Sequence, residues 1–220
     1  MENSSAQFQQ FVKHILSFEG GLSKDPRDTA VRYAPFPGAY HTNKGVTYAA
    51  FTALGPGLGI TPINYEKFIK LTDQEVGRFI YEYYKSINGD KLPGSVGLSV
   101  TEAAWGSGPV PAIKQLQNAL INLKKLSPGS ADGKFGPKTL AAVQATSETA
   151  LYNEFWKVRR AFINSLTAQK SYAIYEKGWN RRIDSFLNTI KPVAVTGLLL
   201  LAGLTYLVFS QGKNNYIQTL

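Results

Sequence analysis

Glu19, Asp25, Asp28 and Thr42 have types and spacing suited to acid–base chemistry. Glu19 closes an apolar-periodic segment in the run Phe18-Glu19-Gly20-Gly21. A helix C-terminus carries partial negative charge, and apolar neighbours favour the neutral form of a carboxyl group. Both suit a group that must keep a proton and deliver it to a glycosidic oxygen. Read locally, the same pattern fits an exposed glutamate at a frayed helix end at least as well. Asp25 and Asp28 follow in Lys24-Asp25-Pro26-Arg27-Asp28, and Thr42 opens Thr42-Asn43-Lys44-Gly45-Val46-Thr47. Cleavage of a glycosidic bond usually needs a second group across the scissile bond, to steady the cationic sugar or to position water. A loop folding back over the helix end would bring Asp28 and Thr42 opposite Glu19. Asp-Pro and Thr-Asn are equally ordinary turn sequences.

The elements that must position these residues read as almost all helical. Phe8, Phe11, Val12, Ile15, Leu16 and Phe18 predict an amphipathic helix over 5–18, capped at Ser4 or Ser5 and ended by Gly20-Gly21. Residues 22–46, rich in Asp, Pro, Gly, Asn and Thr, predict an irregular loop or short hairpin. Thr47 caps a short helix through Leu54, broken by the Gly- and Pro-rich stretch 55–62. Thr72 with Glu75 is a capping box for a helix to about Ile87, and 87–95 is a candidate boundary. A second helical region starts near Val100, with Ile113, Leu116, Leu120 and Leu123 sharing one face of a helix over 109–123. Pro137 opens a helix to about Val143 after the turn-rich stretch 127–139; 149–168 and 171–190 read as two long helices.

Composition narrows the chemistry further. The 220 residues include no cysteine, which excludes disulfides, a thiolate zinc site and a cysteine nucleophile. With only His14 and His41 as imidazoles, no metal centre is expected, and no cofactor motif appears. The net charge of +9 favours an anionic partner: nucleic acid, acidic lipid or cell-wall polymer. Nucleic acid is not expected, since there is no basic stripe or recognition motif. The polar start, Met1 to Gln10, does not read as a secretory signal. Val193 to Phe209 is uncharged and proline-free; its seventeen residues span roughly 25 Å as a helix, slightly short of a typical hydrocarbon core. It reads as one transmembrane helix, with a buried core helix as the alternative. Lys177, Arg181, Arg182 and Lys191 precede it and only Lys213 follows, so the positive-inside bias keeps the N-terminal bulk cytoplasmic.

Taken in order, these residues resemble glycoside hydrolase family 108, phage and bacterial N-acetylmuramidases of a lysozyme-like α fold. The resemblance is carried by Glu19-Gly20-Gly21, Asp25-Pro26-Arg27-Asp28 and Thr42 to Thr47, then by Leu71-Thr72 with Glu75, Tyr83-Tyr84 and Leu92-Pro93. It continues through Ala112 to Gln117, Ala131 to Leu140, Arg159-Arg160, Phe162, and Lys177-Gly178-Trp179 with Arg181, which resemble the family's predicted peptidoglycan-binding half. It covers roughly residues 8–185. The resemblance implies that Glu19 is the catalytic acid. The nine-residue interval from Glu19 to Asp28 is similar to that in phage-type lysozymes. By that likeness Asp28 stabilises the developing oxocarbenium ion or orients water, and Thr42 helps place that water. Asp25 is the competing second carboxylate. One departure stands out: thirteen residues, Thr29 to His41, separate the aspartates from Thr42-Asn43. They include Tyr33, Phe36 and Tyr40, which either offer aromatic faces to sugar rings or pack against the protein. The resemblance also implies glycan or stem-peptide contact at Asp132, where a purely structural turn is the alternative. Trp105, Trp156 and Trp179 suit either sugar stacking or helix interfaces.

The expectation is thus a mostly α protein. A lysozyme-like catalytic region (5–97) precedes a helical peptidoglycan-binding region (98–188), a transmembrane helix (192–210) and a short tail (211–220). The expected catalytic set is Glu19, Asp28 and Thr42, with Asp25, Tyr33, Tyr40, Asn43 and Asp132 as substrate contacts. The implied activity is hydrolysis of the β-1,4 bond between N-acetylmuramic acid and N-acetylglucosamine, in phage infection or host lysis. Alternatives are a lytic transglycosylase with Glu19 as acid and base, and a non-enzymatic wall-binding or structural protein of a virion. The implied partners are peptidoglycan, a lipid membrane and other virion proteins. The implied location is a phage's internal membrane or the host inner membrane.

Overall fold

The structure, a computed structural model, describes residues 6–170 and 172–192. The caps at Ser4 and Ser5, the apolar run from Val193 and the tail lie outside these residues. Among the described residues, no helix is long and apolar enough to cross a membrane.

Helix α1 (Ala6–Leu16) buries Phe8, Phe11, Val12 and Ile15, the stripe read from the sequence. Turn hydrogen bonds carry the chain past its end, the last from Glu19 N–H to the Leu16 carbonyl. Gly21, at φ 81°, then turns the chain into a small antiparallel sheet. Its strands are β1 (Leu22–Ser23), β2 (Thr42–Asn43) and β3 (Val46–Thr47), in the order β1-β2-β3. Ser23 pairs with Thr42, and Asn43 pairs with Val46 across the two-residue turn Lys44-Gly45. Both turn residues have positive φ, 47° and 81°, the geometry of a type I′ hairpin.

Thr47 caps α2 (Tyr48–Leu54) through the Ala50 N–H, and both halves of the capping box at Thr72 and Glu75 form at the start of α4 (Asp73–Ser86). Between them lies α3 (Tyr65–Ile69), capped by Asn64, which the sequence reading missed. Five residues are too few for a helical period to show.

Helix α5 (Gly94–Ser107) starts six residues before the expected position near Val100. Gly94 and Gly97 suggest a loop by propensity, but packing overrides them: a Cβ at Gly97 would lie 3.2 Å from the Gly89 carbonyl oxygen. All but one turn of α5 is buried, as expected of a helix enclosed on every side. It packs against α4, α6 (Pro109–Asn122) and α8 (Glu148–Thr167). Pro137 opens α7 (Pro137–Gln144) as read from the sequence. The last helix, α9 (Glu176–Thr189), begins later than expected because a 3-10 turn, Ala173–Tyr175, precedes it. A single core cluster runs from Phe8 to Ile190, so α5 is common to both halves of the chain.

Candidate active site

Glu19 sits one turn beyond α1, with its side chain 14% exposed. Its Oε1 accepts hydrogen bonds from Trp105 Nε1 (2.8 Å) on α5 and Arg182 Nη1 (3.1 Å) on α9. Among the described residues nothing donates to Oε2. The apolar setting expected around this carboxyl is therefore incomplete. An indole N–H and a guanidinium, 86 and 163 residues away in sequence, reach it through the fold.

Arg182 belongs to a buried network. Its Nε donates to Glu102 Oε1 (3.0 Å), and Glu102 Oε2 accepts from Arg159 Nε (3.2 Å). Arg159 Nη1 donates in turn to Ser107 Oγ (3.1 Å). Burial pushes the Glu102 carboxyl up, but the two guanidiniums outweigh it and hold the group below its ordinary value. Two arginines thus face two glutamates across α5, α8 and α9. Arg182 orients Glu19 while its own charge is compensated from behind by Glu102. That charge is consequently not a free contribution to the membrane-orientation bias.

The β2–β3 hairpin closes on Glu19 from the other side. A Cβ at Gly45 would lie 2.8 Å from Glu19 Oε2 and 2.8 Å from the Trp105 ring. Only glycine fits both this approach and the positive φ.

Glu19, Asp28 and Thr42 line one open cleft of about 700 Å³, together with Tyr33, Trp105 and Arg182. Asp28 gains its place as cap of the 3-10 helix Thr29–Tyr33, its Oδ1 accepting from Ala30 N–H at 2.8 Å. That helix begins the inserted stretch and brings Tyr33 to the cleft. Phe36 packs edge-on against Tyr65 instead, at 4.9 Å between ring centres. The stretch ends on His41, which is fully buried, with Nδ1 3.0 Å from Thr42 Oγ1 and Nε2 3.2 Å from the Asp25 carbonyl oxygen. This anchor returns Thr42 to the sheet despite the added length.

The structure places the other expected contacts outside the cleft. Asp25 is engaged by Arg27 through Nε (2.9 Å) and Nη2 (2.6 Å), and this pairing pulls it down to about 2. The Tyr40 N–H donates to Tyr65 Oη, and its ring packs against the core beside Lys24. Asn43 is buried, and its Nδ2 ties the sheet to the Phe68 carbonyl at 2.7 Å. Asp132 accepts from Lys134 N–H and Gln117 Nε2, both at 2.8 Å, which holds a turn between α6 and α7. Trp156 is a core residue, whereas Trp105 and Trp179 reach the cleft.

Glu19 and Asp28, two carboxyl-bearing residues lining one open cleft of a helical scaffold, are residue types that glycoside cleavage uses. Residues 12–108 match the family described as Glycosyl hydrolase 108, and residues 111–184 match the family described as Predicted Peptidoglycan domain. The structure of Brucella abortus SagA is similar to this one at 26% identity and a TM-score of 0.63, covering 84% of this chain and 95% of that one. No curated protein matches the chain. The two family matches support a peptidoglycan-degrading glycoside hydrolase, with peptidoglycan as its partner.

Gly45→Ala tests the fit of the hairpin against the acid. The added methyl must displace Glu19, Trp105 or the turn, and a misplacement of about 1 Å at a reacting group costs about 100-fold in rate. The expected result is that loss in clearing of purified peptidoglycan, with about 1–3 kcal/mol lost in urea unfolding from backbone strain. A wild-type clearing rate would contradict the packing described.

Proposed function

We propose that the chain is an N-acetylmuramidase that hydrolyses the β-1,4 bond between N-acetylmuramic acid and N-acetylglucosamine, with Glu19 as general acid. The observation that carries this is the convergence of Glu19, Asp28 and Thr42 on one cleft open enough for a saccharide. Trp105 and Arg182 hold Oε1, which leaves Oε2 to carry the proton. Glu19 passes that proton to the departing O4 of the glucosamine as the bond to C1 breaks. Asp28 steadies the positive charge that develops at C1 and the ring oxygen, and the Thr42 hydroxyl places the water that adds to C1. Water supplies the new hydroxyl, and its remaining proton restores the acid–base pair.

Mass spectrometry of the glycan ends tests the reaction. Hydrolysis leaves reducing muramic acid ends. Anhydro-muramic ends would instead establish a lytic transglycosylase, in which Glu19 serves as acid and then as base. Wild-type protein that binds but never clears peptidoglycan would leave the virion structural reading standing.

The apolar run Val193 to Phe209, with Lys177, Arg181 and Lys191 before it, supports a further part of the proposal. The enzyme is tethered to a membrane, either inside a phage particle or at the host inner membrane. The full chain is expected to leave a membrane pellet with detergent but not with high salt; release by salt alone would end the tether.

A further inference from the structure

Tyr172, Tyr175 and Trp179 line the same cleft as Glu19, but they come from the half of the chain matched as Predicted Peptidoglycan domain. Their rings are grouped: Tyr175 and Trp179 lie 5.4 Å apart at 17°, and Tyr172 and Trp179 lie 6.1 Å apart at 34°. All three are only half-buried, unlike Trp156 and Phe155 in the core. Helical spacing explains their placement. Tyr175, Trp179 and Arg182 stand at i, i+4 and i+7, one stripe of the turn and helix α9. The face that carries the rings therefore also carries the guanidinium that holds Glu19 Oε1. The Arg27 guanidinium, raised chiefly by its bond to Asp25, also lines the cleft.

We propose that this second half supplies one wall of the catalytic cleft, and that Tyr172, Tyr175 and Trp179 form a platform on which a pyranose ring of the glycan strand stacks. A near-parallel Tyr175–Trp179 pair with Tyr172 tilted beside it along the groove offers an aromatic face to the C–H face of an N-acetylhexosamine, while the phenol and indole polar edges meet its hydroxyl and acetamido groups. Recognition of peptidoglycan by this half then occurs in the cleft, in register with the scissile bond, rather than on a separate surface. The inference rests on the muramidase reading for the identity of the glycan.

Binding of purified sacculi in the cold to the Glu19→Gln protein, read by co-sedimentation, tests it. Adding Trp179→Ala is expected to weaken binding by about tenfold, the loss of one well-placed stacking contact. Adding Trp179→Phe keeps a ring face and is expected to keep most of the affinity. Should Trp179→Ala lower the unfolding midpoint, Tyr172→Ala, in the turn before α9, takes its place with the same expected loss. Unchanged binding by the folded alanine variants, or an equal loss with phenylalanine, would overturn the platform. Clearing by Glu19→Gln at the wild-type rate would instead sink the catalytic assignment, while the binding comparison still decides the platform.

Discussion

Replacing Glu19 by glutamine is expected to slow peptidoglycan clearing by about 10²–10⁴-fold, the contribution of a positioned general acid. Glutamine keeps the shape of the side chain and its Oε1 can still accept from Trp105 and Arg182, so the site geometry should survive. What is lost is the proton that would leave from the other oxygen. The fold should be little affected, because Arg182 retains Glu102 as its charged partner. Clearing rates on purified sacculi, beside urea unfolding of both proteins, check both halves of this. A large loss of rate with an unchanged unfolding midpoint is the predicted pattern. An equal loss of both would make Glu19 a structural residue.

Glu102→Gln is expected to have the larger effect on stability. Glu102 is 2% exposed at its side chain and Arg159 is 4% exposed, and Glu102 is the group that compensates both Arg159 and Arg182. The variant keeps the volume but leaves two largely buried guanidiniums with Glu19 as the remaining carboxylate in the network. Breaking a buried ion pair from one side costs about 3–5 kcal/mol, since the surviving charge stays desolvated. The folded carboxyl of Glu102 lies below its ordinary value of 4.5, burial being outweighed by the two arginines. Its contribution is therefore complete above about pH 4.5 and is lost as the pH falls through the folded value. Wild-type stability should fall on acidification below that point more steeply than that of the variant. Urea midpoints at neutral and acid pH measure both, and a midpoint unchanged at neutral pH would contradict the network.

Much of the scaffold was legible because its signals are local. Thr47, the Thr72–Glu75 box and Pro137 each mark a helix start through a bond or a fixed φ within a few residues. The buried stripe of α1 repeats at helical spacing. α5 was misplaced because its glycines argue for a loop, and only their close packing explains the helix. The site divides in the same way. Glu19, Asp28 and Thr42 were read from a run of motifs and Tyr33 from the inserted stretch, and the four line one cleft, whereas Arg182, Trp105 and Gly45 meet Glu19 only through the fold. Two signals were nevertheless present. Glu102 is the one charged residue between Lys91 and Lys114, which marks a charge with a buried partner. Trp105 follows it by three positions on the same helix, so the two share a face. The partners themselves, Arg159 and Arg182, could not be chosen from several arginines on α8 and α9 without knowing how those helices cross α5. Between Asp25 and Asp28 the residues alone gave no ranking, and only the resemblance favoured Asp28, for a related reason: the hydrogen bonds that tie one to Arg27 and make the other a cap depend on the path of the inserted stretch.

The most direct measurement is digestion of purified peptidoglycan in ¹⁸O-labelled water by the wild type and by Glu19→Gln, with mass spectrometry of the released muramic acid ends. One labelled oxygen is expected at each new reducing end with the wild type, and over the same digestion time about 10²–10⁴-fold fewer labelled ends with the variant. Unlabelled anhydro ends, or equal labelling by the two proteins, would contradict the hydrolytic role of Glu19.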